Sequence, residues 1–314
     1  MTPWFRRRLY ERLFPRFRPR PEWQPRVASG SEGGAGLRIR WLGTAGHVLE
    51  TATTCVLIDP FVSRPSLLGL ASPLHSDETA IARHIPRKVD AVICGHSHFD
   101  HLLDAPLIAR SRDASLIGSD TTCAFGRQAG ISEDRMVRIP PAGGSVQIGD
   151  IEIRLVPSRH GRIVLHRVPF PGVMLTPPAQ PRLWHYRMGG AFGVLLRAAG
   201  TTVYHNGSAD LVDAELEGAS ADLLLVGLAG RGATPNYLER LVTRLRPRVI
   251  VPTHHDAFFH PLDQGVRLLP RIDLEGFAAE VHARAPKARL IVPSYHEALH
   301  LSAGSIADAA LSIY

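Results

Sequence analysis

The segment CGHSHFDHLLD constrains this chain more than any other part of the sequence. It follows the apolar run DAVI, which is typical of a short buried strand. Side chains alternate along an extended segment, so His96 and His98 project to the same side. A turn after His98 lets Asp100 and His101 face the same space from another direction. The spacing therefore predicts a cluster of three imidazoles and one carboxylate at the end of a strand.

Imidazole and carboxylate groups are ligands that suit zinc, iron or manganese. One short loop of this kind can serve two adjacent metal ions. The simpler interpretation is a polar turn with solvated histidines, but three histidines and an aspartate within six residues argue against it. We therefore expect a site for divalent metal ions, with zinc favoured and manganese or iron as alternatives.

The motif H-x-H-x-D-H resembles the signature of the metallo-β-lactamase superfamily. The resemblance extends over most of residues 37–300, because WLGTAGHVLE and VLIDP are similar to the opening strands of that family. The closest similarity is to the branch of ascorbate-6-phosphate lactonases and N-acyl-phosphatidylethanolamine phospholipases D. The resemblance implies an α/β fold, a four-layer αβ/βα sandwich with the site at one edge between the sheets.

The resemblance also implies ligands elsewhere in the chain. His160, in VPSRHG, matches the third histidine that joins His96 and His98. His254, in VIVPTHHD, matches the last histidine, which joins Asp100 and His101 on a second ion. The neighbouring His255 is the alternative to His254.

The carboxylate that bridges the two ions in this family follows a glycine directly, but here Gly207 is followed by Ser208. Asp210 lies two residues later and is the expected bridging ligand, with a catalytic role shared with Asp100. The alternatives are that Asp210 caps a helix over LVDAELEG, or that Ser208 or His205 takes the ligand position. If Asp210 is not a ligand, a one-metal site becomes plausible.

The charge is concentrated at the N-terminus. Residues 1–26 hold eight arginines and two glutamates (+6), whereas the remainder holds 28 basic and 27 acidic residues (+1). We divide the chain into an Arg-rich extension and linker, residues 1–36, and a hydrolase domain, residues 37–314. The near-neutral domain argues against nucleic-acid binding. The basic, amphipathic residues 1–26 could lie on an anionic membrane surface, or pack on the domain or remain disordered.

A proline-rich loop after His160 is the candidate lid of the site. Aromatic and basic side chains within it are the candidate substrate contacts, and the alternative is a loop packed on the core. These candidates are Arg167, Trp184, His185 and Tyr186.

Three hypotheses for function follow from these features. The first is a hydrolase that cleaves an ester or phosphodiester bond in a lipid-like substrate with a metal-activated hydroxide. The second is a lactonase or amidase for a soluble small molecule, and the third is a metal-poor ligand-binding relative. The three separated cysteines and the lack of an apolar signal-peptide run favour a cytoplasmic protein. A location at the inner membrane face is the variant of this prediction in which the basic residues 1–26 contact the membrane.

Overall fold

Short β-prone runs of the sequence form two seven-stranded sheets in the computed structural model, which describes residues 8, 10–24, 36–163 and 165–301. The first sheet contains β1 (Leu37–Gly43), β2 (Gly46–Glu50), β3 (Cys55–Ile58), β4 (Ala91–Ile93), β5 (Ser115–Gly118), β6 (Met136–Arg138) and β14 (Ala298–Leu301). The second contains β7 (Gly144–Ile148), β8 (Ile151–Pro157), β9 (Phe192–Ala198), β10 (Thr201–Asn206), β11 (Leu223–Gly227), β12 (Val249–Thr253) and β13 (Arg289–Leu290).

Helices cover the outer face of each sheet. The α-helices are α1 (Glu78–His84), α2 (Phe99–Leu102), α3 (Ala105–Arg112), α4 (Asp120–Gln128), α5 (Tyr237–Leu245) and α6 (Leu274–Arg284). Single 3-10 turns lie at Pro21–Trp23, Gly69–Ala71, Glu133–Arg135, Leu183–His185, Asp213–Leu216, Arg231–Ala233 and Leu262–Gln264. Helix α5 shows why they pack this way, since Leu238, Leu241, Val242 and Leu245 recur on one face and are buried.

Three apolar clusters define four layers. The central cluster joins the two sheets face to face, for example Ile39 of β1 with Leu225 of β11. A second cluster packs Ile108 of α3 and other helical residues on the first sheet, and a third packs Phe277 of α6 on the second. The predicted αβ/βα sandwich is therefore confirmed.

Both sheets follow the same plan, antiparallel at one end and parallel at the other. The order is β14-β1-β2-β3-β4-β5-β6 in the first sheet and β13-β12-β11-β10-β9-β8-β7 in the second. Strands β10, β11 and β12 are parallel, and β8 runs in the same direction because both β8 and β10 pair antiparallel with β9. Their carboxyl ends therefore meet at one edge, where β8, β10 and β12 lead into His160, Ser208 and His254.

The described part of the N-terminal extension packs on the domain. Phe14 and Trp23 are buried, and Phe17 N and Trp23 O form backbone hydrogen bonds with Val266 and Val292. Two aromatic side chains of the predicted membrane-facing tail are thus used within the fold. Residues 1–7, 9 and 25–35, which include most of the linker, fall outside the described residues, and contact of the tail with a membrane stays a prediction.

None of the helices in the described ranges has the length and apolar character needed to span a bilayer. The three cysteines are buried and unpaired, as expected for small apolar side chains.

Candidate metal centre

The loop after β4 places its four polar residues in the interior. His98 immediately precedes the short helix α2, and this change from extended to helical backbone brings Asp100 and His101 round towards His96. All four side chains belong to residues that are at most 8% exposed. Because unpaired polar groups are costly to bury, so dense a cluster indicates that these residues act together.

A first group of potential ligands consists of His96, His98 and His160, whose ligand atoms lie within 4.8 Å of one another. Their ring centroids are 4.7 to 4.9 Å apart and the rings are nearly perpendicular. An isolated bridge between His160 and Ala209 fixes the segment after β8 beside the segment after β10. The structure therefore brings the predicted third histidine to the loop after β4.

Hydrogen bonds set the tautomers of two of these histidines. His98 Nε2 lies 2.8 Å from the carbonyl oxygen of Pro169, and His160 Nδ1 lies 2.8 Å from that of Gly161. A carbonyl oxygen only accepts, so these nitrogens carry the protons and the opposite ring nitrogens keep their lone pairs. His96 Nε2 is buried without a hydrogen-bond partner among the described residues. Such a donor set fits a metal ion.

A second group consists of Asp100, His101 and His254, again with ligand atoms within 4.8 Å of one another. Asp100 Oδ2 lies 3.1 Å from His254 Nε2 and 3.7 Å from His101 Nε2. On the far side of His101, Nδ1 lies 2.8 Å from Asp59 Oδ2. Asp59 therefore orients the ring so that Nε2 faces Asp100, as outer carboxylates do around metal-binding histidines.

Burial and mutual repulsion keep the first group neutral. Burial lowers the pKa of His96 well below its usual value, and the adjacent histidines lower it further. Burial is the main cause that lowers the pKa of His160 to about 4, and the nearby His98 is the second. Neutral imidazoles are the form that binds metal ions.

The pKa values of Asp100 and His101 are shifted in opposite directions. Burial would raise the pKa of Asp100, but His101 and His254 together hold it below its usual value. Burial would lower the pKa of His101, but Asp59 and Asp100 hold it above its usual value. An ionised Asp100 is the form that can serve as a ligand.

Two residues at the same edge of the sheets have a strained backbone. Asp59 and His254 have φ values of +45° and +54°, in the left-handed region that non-glycine residues rarely adopt. Hydrogen bonds hold both: Gly95 N donates to Asp59 Oδ1 (2.7 Å), and His254 N donates to Thr44 O (2.7 Å). Such strain persists only where the surrounding structure enforces it, commonly at functional sites.

Asp210 does not lie in either group of potential ligands, and its role as a bridging ligand stays a prediction. Its Oδ1 accepts a hydrogen bond from Leu211 N (2.8 Å) and lies 3.5 Å from Arg240 Nη1. The carboxylate is thus directed to Arg240 because a cation and a backbone donor both compete for it.

The structure also differs from the alternatives to a bridging Asp210, namely a helix cap by Asp210 or a ligand at Ser208 or His205. The following 3-10 helix, Asp213–Leu216, begins after Val212 without a side-chain cap, so Asp210 does not cap it. The Ser208 hydroxyl lies 3.4 Å from Asn206 Oδ1, and His205 is fully buried next to His47. Neither belongs to the two groups of potential ligands.

His254, and not His255, faces the cluster. His255 is fully buried and stacks on Trp41, with ring centroids 4.5 Å apart. Sequence reasoning missed the next residue, Asp256, which accepts hydrogen bonds from Thr44 N and Tyr295 and pairs with the buried Arg64. An aspartate two residues after a candidate ligand, at the end of an apolar strand, is the signal that would have found it. Asp59, which follows the apolar strand β3 directly, was also missed.

The candidate substrate residues are spread over the loop after His160. Tyr186 is buried and stacks on Phe125 with ring centroids 4.7 Å apart, so it belongs to the core and the prediction of a substrate contact is corrected. His185 Nδ1 accepts from Arg182 N, which holds the local turn. Trp184 and Arg167 are exposed.

A different set of side chains surrounds the open space next to the cluster. A cavity of about 730 Å³ lies beside His160, and its lining includes Arg159, Arg162, Val168 and Met188. None of the four predicted substrate residues is in that lining.

Comparisons with known proteins agree with this arrangement. A family model described as "Beta-lactamase superfamily domain" matches residues 38–254, more than half of the chain. A UPF0173 metal-dependent hydrolase of Pyrobaculum calidifontis is 28% identical over 253 residues, covering 79% of this chain and 92% of that protein. One from Pyrobaculum arsenaticum is 28% identical, covering 84% and 100%.

Two solved structures share the fold. Igni18, described as a novel metallo hydrolase from Ignicoccus hospitalis, superimposes with a TM-score of 0.57 at 20% identity, covering 85% of this chain and 98% of that one. CmlA, a diiron β-hydroxylase from Streptomyces venezuelae, superimposes with a TM-score of 0.55 at 13% identity, covering 87% and 55%.

Proposed function

Because this chain belongs to the metallo-β-lactamase superfamily, we propose that it is a metal-dependent hydrolase that cleaves an ester or phosphodiester bond in a lipid-like substrate. The observation that carries this proposal is the pair of three-ligand groups beside an open cavity at His160. Mixed histidine and carboxylate ligands favour zinc, with manganese and iron as alternatives.

The two groups give the ions different surroundings. His96, His98 and His160 would hold one ion, and Asp100, His101 and His254 a second. The residue after Gly207 is Ser208, and the Asp210 carboxylate lies near Arg240. In the described part of the chain, the segment after Gly207 therefore places no carboxylate between the two groups of ligands. We therefore expect two ions, one of which is held less tightly.

A divalent ion in this setting supplies a Lewis acid and activates water near neutral pH. The chain's own residues orient the reaction. Asp100 Oδ2 faces His101 and His254. We assign to the other carboxylate oxygen of Asp100 the role of orienting the attacking water and accepting its proton. Because the pKa of Asp100 is held low, its main contribution is orientation.

A lactonase or amidase for a soluble small molecule is the second candidate. It is favoured by the burial of Phe14 and Trp23 in the domain, since these aromatic residues are then not available to enter a membrane. Peripheral membrane contact through residues 1–26 and a cytoplasmic location remain part of the first proposal.

Metal analysis combined with substrate panels tests these proposals. The full chain would be loaded with zinc, manganese or iron and assayed against soluble phosphodiesters, lactones, amides and detergent-dispersed phospholipids. We expect turnover in one panel, and a loss of more than about 100-fold in His98→Ala, since even outer partners of metal ligands contribute 10–100-fold. His282→Ala, at an exposed position on α6, is the matched control.

Three outcomes would contradict the first proposal. Full metal loading without turnover in any panel would remove the hydrolase assignment. Dioxygen consumption by the iron-loaded chain, without hydrolysis, would place it with oxygenases of the same fold. A wild-type chain that binds no metal would leave the metal-poor relative.

A further inference from the structure

Two arginines in the lining of the cavity beside His160 have no carboxylate partner among the described residues. Arg159 and Arg162 flank His160 in sequence, are exposed and line the cavity. Within the described part of the chain neither guanidinium has a hydrogen bond or an ion pair with a protein group. Both are therefore available to a ligand that enters from this side.

The third arginine of the cavity shows the contrast. Arg240 is held by Asp213 through its Nε atom, at 3.1 Å and 3.2 Å, and by a further short contact through Nη2. Its Nη1 lies 3.5 Å from Asp210 Oδ1. Arg240 is thus neutralised by its neighbours, and the free positive charge of the cavity comes from the two arginines next to His160.

Apolar side chains also contribute to the lining. Val168, Met188 and Ala191 belong to the first cavity. An adjoining cavity of about 860 Å³ shares Arg162, Ala233 and Thr234 with it. Its remaining walls combine apolar side chains, such as Ile163, Leu228, Leu269 and Ile272, with charged ones. The charged side chains are Arg231, which pairs with Glu280, and Arg271 and Asp273.

His160, the two unpaired arginines and a set of apolar side chains therefore line two adjoining cavities. Arginine presents planar N–H groups that match the oxygens of phosphate or carboxylate in a bidentate manner. Apolar walls beyond it favour a hydrocarbon segment.

We propose that Arg159 and Arg162 form a binding site for an anionic group, a phosphate or a carboxylate, that is attached to an apolar segment lying in the adjoining cavity. This inference rests on the proposed function, in which the scissile bond lies at His160. It narrows the substrate class to small anionic amphiphiles.

Direct binding to the metal-loaded full chain tests the proposal without requiring turnover. Isothermal titration would compare n-octyl phosphate, neutral n-octyl glucoside and inorganic phosphate. We expect octyl phosphate to bind at least about ten-fold more tightly than either, since octyl glucoside forms no charge-assisted hydrogen bonds with the arginines and inorganic phosphate has no hydrocarbon to bury. Arg159→Gln/Arg162→Gln should lose about ten-fold or more for octyl phosphate at unchanged metal content.

Arg154→Gln is the matched control, because Arg154 is an exposed arginine on β8 that lies outside both cavities. It should bind within two-fold of the wild type. An unchanged affinity in the double variant, or an equal loss in the control, would overturn the proposal. If octyl glucoside bound as tightly as octyl phosphate, the proposed anionic site would be contradicted. If inorganic phosphate bound as tightly as octyl phosphate, the proposed apolar site would be contradicted.

A further arm separates a monomeric ligand from a membrane surface. Vesicles of phosphatidylglycerol and phosphatidylcholine would be tested by co-sedimentation. Binding to the anionic vesicles without binding to octyl phosphate would overturn the cavity assignment. If octyl phosphate binds through the arginines but no panel shows hydrolysis, the proposed function fails while the binding site stands. If the chain hydrolyses neutral esters and the rate does not depend on either arginine, the proposed function stands and the anionic binding site fails.

Discussion

Asp59 Oδ2 lies 2.8 Å from His101 Nδ1, and both side chains are only 1% exposed. The other carboxylate oxygen of Asp59 accepts a hydrogen bond from Gly95 N, at the start of the loop that carries the ligands. One aspartate thus fixes both the position of the loop and the orientation of one of its histidines. This link between β3 and the loop after β4 makes the second group of ligands a preformed site.

Replacing Asp59 with asparagine should therefore weaken metal binding although Asp59 is not itself in either ligand group. We expect a decrease in affinity of about 10–100-fold for the ion held by Asp100, His101 and His254, because loss of the carboxylate releases the His101 ring. Competition with a chromophoric chelator measures this. Asp90→Asn is the matched control, since Asp90 accepts a backbone hydrogen bond from Cys55 away from the centre. Equal affinity in Asp59→Asn and the wild type would show that His101 needs no such support.

Asp210→Asn should retain the wild-type number of bound metal ions. In the structure its carboxylate lies against Leu211 N and Arg240, outside both groups of ligands. Asp100→Asn, in contrast, should lose about one equivalent because Asp100 belongs to the second group. Elemental analysis of purified variants distinguishes the two. Loss of an equivalent in Asp210→Asn would mean that metal binding draws this carboxylate away from Arg240.

The sequence predicted the features that depend on local spacing. Four polar groups follow a buried strand within one short loop: His96, His98, Asp100 and His101. Their proximity depends only on this local spacing and not on how the rest of the chain packs. Helices α5 and α6 similarly follow the spacing of apolar residues in their own segments, because helical periodicity is a local property.

Features that depend on distant partners were predicted less well. Asp210 is directed away from the cluster by Arg240, thirty residues later in the chain, and local sequence carries no sign of that pairing. Tyr186 lies in a proline-rich loop that looks exposed, yet it stacks on Phe125 of α4. The contribution of Asp59 is missed for the same reason, since His101 lies far along the chain.

The buried pair of Arg64 and Asp256 should be essential for stability. Arg64 Nη2 lies 2.7 Å from Asp256 Oδ2, with both side chains inaccessible to solvent. Tyr295 donates a hydrogen bond to the same oxygen, and Thr44 N donates to the other. Arg64→Met would leave the carboxylate without its cation, so we expect a loss of about 3–5 kcal/mol in the free energy of unfolding.

Urea denaturation measures this loss, and Arg83→Gln is the control. The pair of Arg83 and Asp263 has a similar distance of 2.9 Å but is 63% and 44% exposed, so its loss should cost less than about 1 kcal/mol. A similar effect of the two substitutions would show that the buried pair contributes no more than a surface pair.

The stacked rings of His84 and His296 should make the protein less stable in mild acid. The rings are 5.0 Å apart and His84 Nδ1 lies 3.0 Å from His296 Nε2. Burial, followed by the proximity of His84, lowers the pKa of His296 to about 4, whereas an unfolded histidine titrates near 6.5.

Between these two pH values the unfolded chain binds more protons than the folded chain, so stability falls as the pH decreases and is fully retained above about 6.5. Between pH 7 and 5 we expect His296 to account for a loss of about 1 kcal/mol, after a reduction for its partial exposure. His296→Asn should therefore show a shallower decrease over this range than the wild type, measured by urea denaturation of the metal-loaded protein at each pH. His282→Asn, on the exposed face of α6, should follow the wild-type curve. Parallel curves for wild type and His296→Asn would mean that the acid sensitivity has its origin elsewhere in the chain.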